Sequence, residues 1–574
     1  MNYLRSVFQP KILTTMKGYT RQQFGKDVTA GIIVAIIALP LSIALAIASG
    51  VSPEKGIYTA IIAGFLISLL GGSRVQVGGP TAAFMVIIAG IVTKYGVDGL
   101  MIATFMAGIM MMLFGLFKMG SVIKFIPYPI TTGFTSGIAV TILTSQVKDF
   151  LGLTTAELPA EFLGKWKAYI AGISSINWSV VAIGALALLI MIVLPKITKK
   201  IPGAFVALVV TSVLVAVFKI DIPTIGSKFG QLSSALPAFV MPQLSVDKVK
   251  ALIGPAFTIA FLGSVESLLS AVVSDGMIGG KHRSNTELIA QGIANMGSAL
   301  FGGIPATGAI ARTVANIKNG GRTPVAGMVH SVTLLLILVL FMPFAKMIPL
   351  TALAAVLIVV AYNMSSWREF ADLFKSPKSD ILVLLVTFFM TVFFDLVQAI
   401  EIGIVLAALL FMKRMADVTE VKVRNMDAGE DTDDGSAGDT VSASESGEEN
   451  ELPKTKVFKD VLIYEINGAF FFGAADKFLA VTSEVGKKTR VLIIKMKHVP
   501  AMDATALHAF ARIVKLCKKR KITLLLTGLQ EQPKQVLDKA GITAIVGEGH
   551  IFSGLGDAVS FVQNNLLPEE VKAE

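Results

Sequence analysis

Of the chain's 574 residues, 53% are hydrophobic and only 16% are charged, which indicates a membrane protein with room for one soluble domain, since soluble proteins average about 25% charged residues. The formal net charge of +11 does not indicate a nucleic-acid partner, because the basic residues are scattered among short loops rather than gathered in one basic module. The single cysteine, Cys517, excludes an internal disulfide framework and a multi-cysteine metal site.

The amino-terminal segment, residues 1–26, is polar and basic. It has no apolar run of the kind that a cleavable signal peptide contains, so we expect it to stay in the cytoplasm. Apolar stretches then recur as far as residue 412, and several approach the length of about 20 residues that a bilayer-spanning helix needs. The sequence therefore predicts a transmembrane transport domain over residues 27–414.

Two apolar segments are interrupted by glycine and proline near their starts. The first, GGPTAAFMVIIAGIV, begins at Gly78, and the second, GIPATGAIARTVANI, begins at Gly303. Each is followed by an uninterrupted span and then by a span that begins with Ile-Pro. Interrupted spans at corresponding positions of two halves are typical of a transporter binding site, so we predict two inverted repeats of about seven spans each, over residues 27–220 and 248–414.

The charges in the loops agree with an inverted second repeat. With a cytoplasmic amino terminus, the loops predicted to lie inside contain most of the lysines and arginines, whereas the outside loop at 154–167 mixes both signs. We expect a multi-pass protein of the inner (plasma) membrane with both termini in the cytoplasm.

The two interrupted segments place helix amino termini inside the membrane. Unsatisfied backbone N–H groups and the positive ends of two facing helix dipoles would bind an anion there. The alternative is that glycine and proline only kink these helices or allow close packing. The residues predicted to line the anion site are Thr81, Ala82, Ala83 and Phe84 in the first half and Ala309, Ile310, Ala311 and Arg312 in the second.

Arg312 lies about one turn into the second interrupted helix. Its guanidinium would add positive potential at the anion or pair with a carboxylate. The alternative is a side chain that reaches cytoplasmic water, because Lys318 and Arg322 follow within ten residues.

Glu266 lies near the middle of an apolar span, residues 252–273. A carboxylate at that depth is expected to bind a coupling cation such as Na⁺ or to carry a proton. Ser270, one turn further on the same face, would add an oxygen atom. The alternative is a structural carboxylate that is protonated or paired with Arg312. His282, between two basic residues, is expected to be a solvated loop histidine.

The sequence shows no nucleophile arrangement of the Ser/His/Asp or Cys/His type and no glycine-rich phosphate loop. We therefore expect neither an enzyme nor an ATP-driven pump, and no cofactor other than Na⁺ or H⁺ as a coupling ion.

The composition changes after Arg414. Residues 425–453 contain ten acidic residues and no basic residue, a pattern typical of a disordered linker. Residues 454–568 alternate strand-like apolar runs with amphipathic helices, which predicts a small cytoplasmic α/β domain.

Three motifs resemble known proteins. The run SGVSPEKGIYTAIIAGFLISLLGGSRVQVGGPTAAF (49–84) is similar to the signature region of the SulP family of anion permeases, and NTELIAQGIANMGSALFGGIPATGAIARTVANIKNGGRTPVAG (285–327) is similar to that family's second-repeat core. The motif VPAMDATAL (499–507) resembles the STAS module that these permeases carry at their carboxyl end. The resemblance extends over nearly the whole chain.

The resemblance implies a multi-span α-helical membrane fold of fourteen spans, arranged as 7+7 inverted repeats with a core and a gate domain, plus a cytoplasmic STAS domain. It also implies a homodimer, an elevator-like movement and an anion held between the two half-helices. Position 266 carries an acid in members that resemble cation-coupled symporters, which makes Glu266 the predicted Na⁺ or H⁺ site, with Ser270 as a helper.

Two departures from the family pattern modify these expectations. Leu41, which we include among the predicted substrate-binding residues, stands where many members have a substrate-facing glutamine. This makes the chain less similar to the sulfate carriers of that type and more similar to bicarbonate or carboxylate carriers. Ala504 follows Asp503 where related anti-sigma-factor antagonists have a phosphorylatable serine, although Thr505 is next to it. We therefore expect the STAS domain to act in dimerisation, folding or the docking of a cytoplasmic protein.

The leading hypothesis is a secondary active transporter of a small inorganic or carboxylate anion, sulfate or bicarbonate above all, coupled to Na⁺ or H⁺. Within transport, the alternatives are an uncoupled exchanger or channel-like conductor, a C4-dicarboxylate symporter and a nucleobase symporter. Outside transport, the alternative is a membrane-anchored regulatory protein that acts through its carboxyl-terminal domain.

Overall fold

The structure, a computed structural model, describes residues 7–121, 127–155, 158–159, 161–198, 202–230, 232–242, 245–394, 396–426, 458–480 and 489–566. The described residues form two compact units, which divide between Ala407 and Ala408.

The first unit is helical. Up to residue 229 its helices are α1 (Ile12–Thr15), α2 (Arg21–Ala48), α3 (Pro53–Leu70), α4 (Met85–Leu116), α5 (Tyr128–Leu151), α6 (Phe162–Ala171), α7 (Trp178–Ile197), α8 (Gly203–Val217) and α9 (Ile225–Phe229). From residue 246 they are α10 (Val246–Ile278), α11 (Ser284–Leu300), α12 (Ile310–Lys318), α13 (Pro324–Ala345), α14 (Leu350–Met364), α15 (Trp367–Asp372), α16 (Lys378–Phe393) and α17 (Leu396–Val418), which continues into the second unit. A 3₁₀ turn, Ala82–Phe84, precedes α4.

Several of these helices are long and apolar enough to cross a bilayer. Within the described residues, seven segments meet both conditions: Arg21–Ala48, Pro53–Leu70, Ala82–Leu116, Trp178–Ile197, Val246–Ile278, Pro324–Ala345 and Leu350–Lys375. The segment Ala82–Leu116 is interrupted at Gly96, whose φ of 70° breaks the helix. The predicted multi-span helical fold is confirmed, and the number of fourteen spans stays a prediction.

Two very short strands lie inside the helical unit. β1 (Gly78–Gly79) follows α3, β2 (Thr307–Gly308) follows α11, and the two pair antiparallel, with Gly78 opposite Gly308. Each strand leads into a helix start, the 3₁₀ turn before α4 in the first half and α12 in the second. A repeated order of helix, strand and helix with antiparallel strands is what the predicted inverted repeats require.

The helices of the first unit pack as two groups. In one group, called the site group, α4 packs against α10 and α11, and α13 packs against α2 and α3. In the other, called the outer group, α5 packs against α14 and α16, and α7 packs against α8 and α14. The most extensive helix contact of the site group joins α4 and α11, where Gly108 and Gly292 each face the other's backbone carbonyl oxygen. Small residues at such crossings let membrane helices approach closely.

The second unit contains a five-stranded sheet. Its strands are β3 (Glu420–Met426), β4 (Phe458–Asn467), β5 (Val491–His498), β6 (Thr523–Thr527) and β7 (Ile551–Phe552), in that spatial order. β3 is antiparallel to β4, and the other neighbours are parallel. Its helices are α18 (Phe472–Ala480), α19 (Ala504–Arg520), α20 (Glu531–Lys539), α21 (Ile542–Val546) and α22 (Leu555–Asn565). Alternate side chains of β4 and β5 enter two separate cores, with α18 and α19 on one face of the sheet and α22 on the other.

The acidic stretch lies almost entirely outside the described residues, but its two ends are informative. β3 precedes it and β4 follows it, and these two strands are neighbours in one sheet. The stretch therefore connects two strands of the same domain, and the sheet includes a strand from before residue 425. The run EVKVRNM carries no continuous apolar pattern, so periodicity alone did not indicate this strand.

Candidate anion-binding site

The strand pair β1–β2 brings the two predicted helix starts together. Beside it, the Ala309 N–H donates to the Val77 carbonyl oxygen at 3.0 Å, so the second helix begins against the segment that leads to the first. We call residues 71–80 the first lead-in and residues 301–309 the second lead-in. Eight of the nine predicted substrate-binding residues fall directly after these lead-ins or at their ends, and the ninth, Leu41, lies on α2.

Neither helix start is capped by a side chain. The residues at the cap positions, Thr81 and Ala309, have extended backbones, and no side-chain oxygen accepts from the first turn of either helix. By contrast, Asn177 and Ser245 cap α7 and α10 in the usual way. Uncapped first-turn N–H groups within an apolar helical unit are suited to an anion.

Arg312 lies in the first turn of α12 and is only 1% exposed. Its Nη1 donates to the Gly78 carbonyl oxygen at 3.3 Å, and its Nη2 donates to the Pro80 carbonyl oxygen at 3.0 Å and to Ser42 Oγ at 3.3 Å. The alternative in which Arg312 reaches water is therefore wrong. The guanidinium ties α12 to the first lead-in and to α2, and it places a positive charge behind the first helix start.

Glu266 bridges the two halves of the site from α10. Its Oε2 accepts from Thr81 Oγ1 at 3.0 Å and from Thr307 Oγ1 at 3.0 Å. Among the described residues, Oε1 receives no hydrogen bond, and no ion pair within 4.0 Å joins Glu266 to Arg312. The carboxylate thus has one oxygen fixed between the two helix starts and one oxygen with an open coordination position.

Ser270 has a different contact from the one that the helix face indicated. Its Oγ lies 3.4 Å from Thr313 Oγ1, which in turn accepts from the Val77 N–H at 3.1 Å. Ser270 is buried and joins α10 to α12. The partner of Glu266 in the second half is Thr307, which the sequence analysis did not single out.

Leu41 lies on α2 and packs against the apolar core of the unit. The neighbouring residue, Ser42, supplies the polar contact of α2 through its bond with Arg312. Sequence reasoning missed Ser42, because a serine in an apolar span is common and carries no positional signal.

Two predictions outside the anion site have definite outcomes in the structure. His282 is not solvated: its side chain is 7% exposed, and its Nδ1 lies 2.7 Å from Asp275 Oδ2.

In the second unit, Asp503 caps α19 by accepting from the Ala506 N–H at 2.8 Å, and it also accepts from the Phe472 N–H at 3.0 Å. Thr505 is exposed in the first turn of α19.

A cavity of about 760 Å³ runs along α4 directly after the first helix start. Met85, Thr93 and Lys94 line it on α4, and Ser145 and Lys165 contribute polar groups from outside the site group.

Comparison with family models assigns both units. A model described as the sulfate permease family matches residues 24–387. A model described as the STAS domain matches residues 453–558.

Individual relatives span almost the whole chain. A protein of Bacillus subtilis (strain 168), named "Putative sulfate transporter YvdB", is 43% identical over 93% of this chain and 97% of its own length. The bicarbonate transporter BicA of Picosynechococcus is 28% identical over 89% of this chain and 90% of its own length.

Solved structures show the same fold. The transmembrane domain of a cyanobacterial BicA matches with a TM-score of 0.60 and 28% identity, over 68% of this chain and 98% of that one. The murine anion transporter of solute carrier family 26, member A9, in its inward-facing state, matches with a TM-score of 0.84 and 18% identity, over 98% of this chain and 95% of that one.

Proposed function

The chain belongs to the sulfate permease family, and from that premise we propose that it is a secondary active transporter that moves sulfate or bicarbonate in symport with Na⁺ or H⁺. The observation that supports this proposal most directly is the joint geometry of the helix starts and Glu266. Two uncapped helix starts follow the paired strands β1 and β2, and one carboxylate is hydrogen-bonded to a residue from each half.

The anion site lies between Thr81–Phe84 and Ala309–Arg312. First-turn N–H groups and two helix dipoles supply the positive potential, and the Arg312 charge adds to it from behind the first lead-in. The relatives' names point to sulfate and to bicarbonate, and a site of backbone donors accepts either anion.

Glu266 provides the coupling. Two like charges about 6 Å apart repel by about 3 kcal/mol at an effective dielectric constant of about 20. A free carboxylate at this position therefore disfavours the anion, and Na⁺ or H⁺ on Oε1 removes the repulsion. By linkage, the bound anion strengthens cation binding by the same factor, which is the thermodynamic requirement for symport.

Alternating access follows an elevator-type movement in this proposal. The site residues belong to helices of the site group, whereas α5, α7, α8, α14 and α16 pack with one another in the outer group. Two groups that pack internally are able to slide past each other as bodies while the site keeps its geometry. We further propose a homodimer and a cytoplasmic location for both termini, with the STAS domain as the docking surface for a cytoplasmic protein.

The proposal is tested by uptake into proteoliposomes. Labelled sulfate, bicarbonate, a C4-dicarboxylate and a nucleobase are each supplied under a Na⁺ gradient, under a pH gradient and under neither. We expect sulfate or bicarbonate to accumulate only when one cation gradient is imposed. Exchange without accumulation under any gradient would instead support the uncoupled exchanger, and uptake of the nucleobase alone would support that symporter.

A separate substitution tests whether Glu266 is the coupling site. Glu266→Gln keeps the size of the side chain but removes the charge that a cation neutralises, so we expect anion exchange to persist and gradient-driven accumulation to disappear. Glu369→Gln, an exposed glutamate on α15, is the matched control and should accumulate as the wild type does. Full accumulation by Glu266→Gln would contradict the assignment.

A further inference from the structure

Helix α11 carries a stripe of buried polar side chains on one face. Glu287, Gln291, Asn295 and Ser298 recur at three- and four-residue spacing, and each is 0% exposed. Polar groups in a buried membrane helix destabilise the fold unless they are hydrogen-bonded. Their partners therefore indicate what the stripe does.

The first part of the stripe holds the first lead-in. Glu287 Oε2 accepts from the backbone N–H groups of Gly72 at 2.8 Å and Ser73 at 3.1 Å. Its Oε1 accepts from Gln76 Nε2 at 3.0 Å and from Gln291 Nε2 at 2.8 Å. All four groups donate to the carboxylate, two as backbone N–H groups and two as glutamine side-chain amides, so each oxygen of Glu287 accepts two hydrogen bonds.

The second part of the stripe holds the second lead-in. Asn295 Oδ1 accepts from the Ala306 N–H at 2.9 Å, and Asn295 Nδ2 donates to the Ala306 carbonyl oxygen at 2.9 Å. Ser298 Oγ donates to the Ile304 carbonyl oxygen at 2.7 Å. One helix face thus binds the segments that precede both helix starts.

Gln76 connects this arrangement to the helix of the coupling residue. Its Nε2 donates to Glu287 and also to the Ser267 carbonyl oxygen at 3.2 Å, one residue after Glu266. Ser267 Oγ accepts from the Gly308 N–H at 3.1 Å. A Cβ at Gly308 would overlap Gln76 Nε2, so Gln76 lies directly against the second lead-in.

We propose that Glu287 is the positioning residue of the anion site: with Asn295 it fixes both lead-ins to one face of α11 and so sets the separation of the two helix starts. Glu287 does not take the coupling ion, because fixed donors occupy both of its oxygens, whereas Oε1 of Glu266 is open. This inference rests on the proposed function of the site.

The test compares anion affinity with cation dependence in reconstituted protein. Glu287→Gln replaces one acceptor oxygen by an NH₂ group that faces donors. We expect the KM for the transported anion to rise by about tenfold or more, because a donor group that faces donors no longer holds the first lead-in. The cation concentration for half-maximal rate and the pH profile, both measured at saturating anion, should stay within about twofold of the wild type.

Two further variants keep the test decisive. Asn295→Ala removes the hydrogen bonds to the second lead-in only and should also raise the KM. It is the variant to measure if Glu287→Gln does not insert into the membrane. Glu287→Asp keeps the charge and should restore part of the affinity. A wild-type KM in both Glu287→Gln and Asn295→Ala would overturn the inference, and so would loss of cation dependence in Glu287→Gln.

Failure of the proposed function gives a different result. If the wild type transports no anion, the same variants are examined by amide hydrogen exchange of residues 71–80 and 301–309. Faster exchange of both segments in Glu287→Gln would support the positioning role without any transport, and unchanged exchange would refute it.

Discussion

A guanidinium buried in a membrane-spanning unit needs acceptors, and Arg312 has three. Two are backbone carbonyl oxygens of the first lead-in and one is Ser42 Oγ. Hydrogen bonds from a charged group contribute about 1.5–3 kcal/mol each, which offsets much of the cost of removing the charge from water. The residue therefore stabilises the site and supplies part of its potential at the same time.

Arg312→Ala tests this double role. The change leaves two carbonyl oxygens without their donor and removes the positive charge, so we expect the KM for the anion to rise by about tenfold or more. We expect the free energy of unfolding to fall by about 1–3 kcal/mol for each carbonyl oxygen left unpaired. Arg312→Lys keeps the charge but has fewer donors, so its KM and its free energy of unfolding should lie between those of the wild type and of Arg312→Ala. Uptake kinetics and thermal unfolding in detergent measure the two effects, with Arg368→Ala, exposed on α15, as the control. An unchanged KM would refute a role in anion binding.

Cys517 gives a residue-scale prediction for the second unit. Its side chain is 3% exposed on α19, and burial raises the pKa of its thiol to about 11 from an ordinary value of 9.0. Because the folded pKa is the higher one, the neutral thiol stabilises the fold fully below about pH 9, and this contribution is lost as the pH rises toward 11. We expect slow reaction with a thiol reagent at pH 7–8 in the native protein and rapid reaction in denaturant. Fast native labelling would show that α19 does not bury the thiol.

At the scale of elements, the two interrupted segments differ in how they continue. The first begins with a 3₁₀ turn and runs on as α4 until Gly96, whereas the second is the nine-residue helix α12. The sequence predicted both starts, because glycine and proline mark them. It did not predict β1 and β2, since two-residue strands have no periodic pattern, and their pairing depends on residues more than 200 positions apart.

The crossing of α4 and α11 gives a test at the same scale. A Cβ at Gly292 would lie 2.5 Å from the Gly108 carbonyl oxygen, so Gly292→Ala must separate the two helices. We expect a loss of about 1–3 kcal/mol in the free energy of unfolding, together with reduced transport, because α11 also holds both lead-ins. Gly276→Ala, exposed in α10 with nothing within 4 Å of a new Cβ, should be neutral or stabilising by up to about 1 kcal/mol. Equal melting temperatures for the two variants would show that the crossing is not tight.

At the scale of the molecule, the chain combines a helical transport unit with a STAS domain whose sheet begins at β3. The described transport unit has the fold of a solved transmembrane domain of BicA. The match covers 98% of that domain and 68% of this chain. We expect the first unit, which contains the paired strands before the two helix starts and Glu266, to carry the anion.

A truncation tests this division of labour. A chain that ends at Val418, before β3, removes the whole sheet, and we expect it to retain gradient-driven uptake. A chain that ends at Met426 keeps β3 without its partner β4, and we expect it to aggregate more, because an unpaired edge strand is exposed. Size-exclusion chromatography and uptake measure the two outcomes. Loss of all uptake on removal of the sheet would favour the alternative in which the STAS domain is the working part.

The membrane class, the α/β tail and the two helix starts could be predicted from the sequence, because apolar length, strand-like runs and Gly-Pro interruptions are local properties of the chain. Glu266 and Arg312 could be predicted as well, because a charge inside an apolar span stands out in the sequence. Their hydrogen-bond partners could not, because these come from distant segments that meet only in the folded unit.

Thr307, Ser42 and the Glu287 stripe carry no local signal, since serine, threonine and amide side chains are common in membrane helices. Their roles appear when α2, α10 and α11 bring groups from distant parts of the chain within hydrogen-bonding distance. In a low-dielectric interior, a polar side chain is stabilised only by the partner that it meets there, and the fold alone decides which partner that is.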